Sequence, residues 1–191
     1  MRRLMLAGLI FIAGGCRKEE APEEDLTPVK TVVAGQKLID FDEQTGAFSC
    51  LAPADWKAME DAAHIGPMLM FFGPMEGPLR GKTSIGISHY PDAADPFKTP
   101  QDLWDSAKIM DQKPSPLEKR MFGTQETYVF HRESPHRAPE SRKTLYMDRE
   151  DTAMISFKDG FFEITHSAPA DSYKDTLPVF EALVESFQPK R

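Results

Sequence analysis

The chain has 191 residues, enough for one domain with a short extension, and its 40% hydrophobic and 10% aromatic residues suffice for a packed core. A formal net charge of −7 argues against nucleic acid or an anionic lipid surface as the binding partner. Two cysteines, Cys16 and Cys50, are too few for a disulfide framework.

Met1-Arg2-Arg3 is a positive opening, and residues 4–12 are an uncharged apolar run, far short of the roughly 20 residues a membrane-spanning helix needs. This reads as a signal peptide over residues 1–15. Ala13-Gly14-Gly15-Cys16 resembles the lipobox of bacterial lipoproteins, with Ala13 where leucine is commonest. Cleavage before Cys16 and lipidation of that cysteine are expected, so the membrane is reached through the lipid. The product loses Arg2 and Arg3, which takes its charge to −9. Arg17 rather than aspartate follows the cysteine, which favours the outer membrane facing the periplasm. With Cys16 lipidated, Cys50 has no partner in the chain and is expected to be buried and inert. Residues 16–35, opened by Arg17-Lys18-Glu19-Glu20, are charged and aperiodic and are expected to form an extended tether.

The globular domain is expected over residues 36–191. Residues 37–42 and 47–51, separated by Glu43-Gln44-Thr45-Gly46, read as a hairpin. Residues 54–64 have helix propensity beside strand-like neighbours and remain unassigned. Residues 68–72 form a short apolar strand ended by Gly73-Pro74, and residues 83–90 alternate with Ile85, Ile87 and His89 on one face. Thr99-Pro100-Gln101-Asp102 has the form of a capping box with proline at the first helical position, followed by Leu103, Ala107 and Met110 on one face. Residues 126–131, 143–147 and 153–157 read as strands, Asp159-Gly160 as a turn, and 161–166 as a further strand, giving an antiparallel meander. Residues 135–142 read as a polar loop. Phe180, Leu183, Val184 and Phe187 mark one stripe of a final helix, with Pro178 near its start and Pro189 ending it.

Phe48 to Trp56, read Phe-Ser-Cys-Leu-Ala-Pro-Ala-Asp-Trp, resembles the opening of PsbP-like and DcrB-like domains. Gly160 to Pro169, then Tyr173, Pro178, Phe180 and Glu185-Ser186-Phe187, resembles that superfamily's last strand and helix. The resemblance spans roughly residues 36–189. It implies an α+β fold, a twisted antiparallel sheet flanked by helices on both faces in an α/β/α sandwich. It also implies a binding module rather than an enzyme, since such domains act as assembly factors, partner-binding proteins, chaperones and lipoproteins.

Catalytic signatures are missing. Gly81-Lys82-Thr83 looks like the end of a phosphate loop, but Glu76 stands where its first glycine belongs, and G-x-S-x-G, H-E-x-x-H and C-x-x-C do not occur. No cofactor is expected. His131, Glu133 and His136 are a candidate divalent-metal set, against the simpler reading of solvated loop histidines. Trp56, Met70 and Phe72 are candidate partner-binding residues, within a group that includes Met59, Met68, Met75 and Phe71; core packing is the competing role for all of them, as for Trp104. The expected function is a lipid-anchored, noncatalytic envelope protein that binds a protein partner. A small-ligand or metal-binding lipoprotein, with a pocket between sheet and helix, is the alternative.

Overall fold

The computed structural model describes residues 28–61, 68–77, 80–92, 96–109, 113–137 and 142–190. The expected signal peptide, Cys16, Arg17, the first part of the tether, His64, Met110 and residues 138–141 lie outside the described residues.

The chain runs β1 (Val29–Val33), β2 (Gln36–Asp42), β3 (Phe48–Pro53), β4 (Lys57–Asp61), β5 (Met68–Gly73), β6 (Thr83–Pro91), α1 (Pro100–Ile109), β7 (Glu118–Phe122), β8 (Gln125–Arg137), β9 (Thr144–Phe157), β10 (Gly160–Pro169), α2 (Tyr173–Ser186) and β11 (Gln188–Pro189). Two antiparallel sheets result, one ordered β1-β2-β3-β11 and a larger one ordered β4-β5-β6-β10-β9-β8-β7.

Alternation along the strands divides the large sheet's two faces between two cores. Ala153 and Ile155 of β9 and Phe162 and Ile164 of β10 enter the larger core, with Val179, Phe180, Leu183 and Val184 of α2 and Leu38, Phe48 and Cys50 of the small sheet. Met154, Phe161 and Phe130 point the opposite way, against Leu103, Trp104 and Ala107 of α1. Each face therefore carries one helix, but the α2 face is shared with the four-stranded sheet. The expected sandwich of one sheet with helices on both faces is therefore met only in part, because a second sheet covers much of the α2 face.

The α1 cap forms as its sequence predicts. The Asp102 amide donates to Thr99 Oγ1 at 3.3 Å, and the Thr99 amide donates back to Asp102 Oδ2 at 2.9 Å.

Several elements differ from expectation for identifiable reasons. Residues 29–33, counted in the tether, form β1 on the edge of the small sheet. Lys57–Asp61, within the helix-prone stretch, pairs residue by residue with β5, so tertiary pairing overrides local propensity. β7 was not anticipated, because Glu118-Lys119-Arg120 is charged, as an exposed edge strand tends to be. The segments 143–147 and 153–157 are parts of one 14-residue strand, and β8 continues through Pro135 into the expected loop. The polar run from Asp148 to Thr152 hides that continuity. Pro178 lies inside α2 as its sixth residue rather than near its start, so the Lys174 carbonyl lacks its usual helical donor.

Candidate functional site

The residues singled out for partner binding divide by strand face. Trp56 is 6% exposed, donates from Nε1 to Gln36 Oε1 at 3.3 Å and covers Gly73 closely. It is a core residue, and its role as an exposed anchor is corrected. A methyl group added at Gly73 would lie 2.3 Å from Trp56 Cγ. Gly73→Ala is therefore expected to cost about 1–3 kcal/mol in urea unfolding, the usual penalty of overpacking; an unchanged midpoint would show that the indole moves aside freely.

On β5, Leu69 and Phe71 enter the larger core while Met70 and Phe72, partly exposed, take the opposite face. Met70 sits opposite Met59 of β4, which is 48% exposed, so these two do share a surface. Trp104 packs beside Phe130, as its core role predicts, and donates from Nε1 to the Ser115 carbonyl at 2.8 Å.

The proposed metal set does not converge. His131 and His136 both lie on β8, where an odd separation puts them on opposite faces. His136 Nδ1 instead meets Asp148 Oδ2 at 3.1 Å, and its ring stacks on Tyr146 with centroids 4.4 Å apart. Among the described residues no group of three or more His, Cys, Asp or Glu is arranged to hold a metal ion. His89 stacks on Phe162 at 4.5 Å, and burial lowers its pKa against the opposing charge of Asp159. Cys50 is buried, which pushes its thiol up to about 12, beyond reach of thiolate chemistry at neutral pH.

Strands β8 and β9 outrun their neighbours. β7 covers β8 only up to Val129, with Ser115 bonded to the His131 backbone just beyond, and β10 pairs with β9 only back to Asp148. Past these points the two strands form a ribbon held by the pairs Pro135↔Met147 and His136↔Tyr146, with the Ala170 amide donating to the Met147 carbonyl at its root. Leu145 and Met147 are 58% and 40% exposed on one face of this arm. Arg137, Arg142 and Lys143 make its tip basic on a chain that is acidic overall.

A cavity of about 500 Å³ lies at the root of the arm, between α2 and β7–β9. Its floor is set by sheet register. His166 of β10 sits opposite Asp151 of β9, which sits opposite His131 of β8, so three side chains remote in sequence form one row on the α2 face. Arg149, two residues before Asp151, lies on the same face, with its guanidinium 4.5 Å from the ring centre of Tyr173 in the first turn of α2. Burial first, and the neighbouring Asp151 carboxylate second, hold the Tyr173 hydroxyl above the usual tyrosine range. Arg149 Nε stands 3.6 Å from Asp151 Oδ2, too far for a hydrogen bond, and both atoms are enclosed without a hydrogen-bond partner. His166 is fully buried, its Nε2 2.9 Å from Thr176 Oγ1, and burial pushes its pKa down to about 4, so the imidazole is neutral at pH 7.

On the other face, beneath α1, Glu163 borders a smaller cavity of about 210 Å³ beside the Arg132–Glu150 ion pair. The Tyr90 hydroxyl donates to Glu163 Oε2 at 3.0 Å.

Mog1p of Saccharomyces cerevisiae, titled a Ran-binding protein, is similar over 81% of this chain and 96% of its own, with a TM-score of 0.53 at 12% identity. PsbP of the cyanobacterium Synechocystis (CyanoP) matches over 80% and 92%, with a TM-score of 0.51 at 13% identity. The fold is PsbP-like. A protein of Bacteroides thetaiotaomicron also matches over 80% of this chain, with a TM-score of 0.52 at 16% identity, and this chain spans about half of it, 48%. No family model matches the sequence. No curated protein matches it either.

Sequence reading missed the cavity floor of this PsbP-like domain. Asp148 to Thr152 was legible only as a break in apolar alternation. Arg149 and Asp151 are in phase with Ala153 and Ile155, and polar residues in phase with a buried face are the available signal of a site.

Proposed function

We propose that this chain is a noncatalytic domain, anchored in the outer membrane through a lipid on Cys16 and facing the periplasm, that binds a protein partner through the β8–β9 arm. The observation that carries this reading is the ribbon itself, which leaves its neighbours behind and presents Leu145 and Met147 to solvent. Apolar side chains held two residues apart on one face of a projecting ribbon are placed to contact a partner. The basic tip selects an acidic partner surface. The lipobox-like segment and charged tether supply attachment and reach. Mog1p, as a Ran-binding protein, is an instance of the same fold in protein recognition; it names no partner here.

The test is a photo-crosslinking residue placed at Leu145 in the full-length protein in cells, beside one at Glu60 on the opposite sheet edge. A single discrete adduct from position 145, absent from position 60 and reduced by Arg142→Glu, is the expected result. Equal or absent adducts would remove the arm as the binding element. Intact mass and detergent partitioning of the wild type beside Cys16→Ser test the anchor: the wild type should carry a diacylglyceryl mass, and the variant should leave the detergent phase.

A second reading, a small-ligand-binding lipoprotein, is favoured by the cavity beneath α2. Its divalent-metal form is set aside, because His131 and His136 diverge.

A further inference from the structure

We propose that the acidic surface on which the arm docks belongs to a second copy of this chain, the two copies laying their β8–β9 arms antiparallel about a two-fold axis so that each basic tip enters the other's acidic groove. This rests on the reading of the arm as the binding element and names its partner.

The groove has a volume of about 760 Å³ and lies at the root of the arm, at the end of the large sheet from which the arm projects. Strand β10 ends there at Pro169 and β5 at Gly73, and β6 starts there at Thr83. The chain next to these points brings Glu76, Lys82, Asp171 and Asp175 into the lining, joined by Asp55 from the turn before β4 and by Tyr146 of the arm. Four exposed carboxylates thus line the groove with one ammonium, and none of the four is in an ion pair among the described residues.

At the other end of the arm the charges are reversed. Arg137 and Arg142 are exposed and likewise in no ion pair among the described residues, and Lys143 adds a third positive charge. One molecule cannot bring these two surfaces together within itself. Five residues separate Met147 at the root from Arg142, roughly 16 Å at about 3.3 Å per residue, and the ladder pairing of the ribbon keeps its tip from folding back.

A second copy removes the mismatch. Turned by a two-fold rotation and laid alongside, its arm runs the opposite way, so its tip stands at the first copy's root while the reverse contact forms at the same time. Overlap of one arm length puts Leu145, between tip and root, close to the axis, where it meets its own counterpart with Met147 beside it. These apolar side chains and the groove share a side. Met147 is in phase with Arg149, which packs on Tyr173 of α2, and Asp171 and Asp175 flank that same turn of α2. The contact therefore has an apolar centre with opposite charges meeting at both ends, as specific interfaces do. A net charge of −7 on each chain repels copies in other orientations, so the oppositely charged ends also select this one.

The experiment is photo-crosslinking in cells that co-express two differently tagged copies of the full-length protein. A crosslinking residue at Leu145 should give an adduct that carries both tags and joins residues 143–149 of the other copy, and one at Arg142 should join residues 171–175. Arg137→Glu with Arg142→Glu, and separately Asp171→Lys with Asp175→Lys, should each lower the adduct from position 145 at least roughly tenfold when both copies carry the change. One copy of each kind should restore it, because every tip then meets a groove of opposite charge, and restoration also shows that both variants fold. If well-folded variants give no more adduct together than alone, the pairing is overturned. Should either variant fail to accumulate, the residues joined in the otherwise unchanged protein decide: an adduct from position 142 that joins the second copy elsewhere overturns the arrangement. An adduct of one copy with a different protein would overturn self-association while leaving the arm as the binding element. No adduct at all would overturn both.

Discussion

Phe162→Ala is expected to lower the unfolding free energy by about 3–5 kcal/mol, the largest single-residue loss anticipated in this protein. Phe162 is 2% exposed and lies where the two sheets and α2 meet. Its ring is edge-on to Phe48 of β3 at 5.9 Å and to Phe187, the residue that ends α2, at 5.1 Å, and it stacks on His89 of β6 at 4.5 Å. Truncation removes the ring's burial and leaves a cavity walled by three elements that cannot collapse together, since each is fixed by its own hydrogen-bonded ladder or helix. Urea unfolding followed by circular dichroism measures the loss. A decrease below about 1 kcal/mol would show that the small sheet is held to the large one by other contacts.

Glu163→Gln is expected to stabilise the protein at high pH and to flatten its pH dependence. Burial lifts the Glu163 carboxyl to about 7, the nearby charge of Glu150 adds to the rise, and the Tyr90 hydrogen bond and Arg132 oppose it. A raised carboxyl pKa means that the folded state holds a proton the unfolded chain releases. The associated penalty is absent below about 4.5, grows as pH rises, and is complete above about 7. At a shift of this size the penalty is about 3 kcal/mol, of which glutamine, unable to ionise, is relieved while still accepting from Tyr90. Melting temperatures of both proteins between pH 4 and 8 decide the matter. They should coincide at the acid end and separate in favour of the glutamine variant at the alkaline end. Parallel curves would mean that the carboxyl is ionised throughout.

Much of the architecture was readable because the elements that build the core are locally regular. β6 alternates with Ile85 and Ile87 inward, the α1 start carries its own reciprocal cap in Thr99 and Asp102, and the stripe of Phe180, Leu183, Val184 and Phe187 predicts the buried face of α2. Reading failed where neighbours rather than local pattern decide conformation. Lys57–Asp61 is helix-prone alone and becomes a strand because β5 presents an open edge. The ribbon of β8 and β9 was divided into pieces because Arg149 and Asp151 replace apolar residues on the inward face.

The candidate site followed the same division. The sequence alone determined the lipobox-like segment with its cysteine, the α+β class, the resemblance to PsbP-like domains, and the inward phase of most strands, since each depends on residues adjacent in the chain. Only the tertiary structure decided that Trp56 is buried against Gly73, that His131 and His136 point apart, and that His131, Asp151 and His166 meet in one row with Arg149 and Tyr173 beside it. Strand register sets those neighbours. Register is fixed by how whole faces pack against α2 and the second sheet, and no single stretch of sequence encodes that choice.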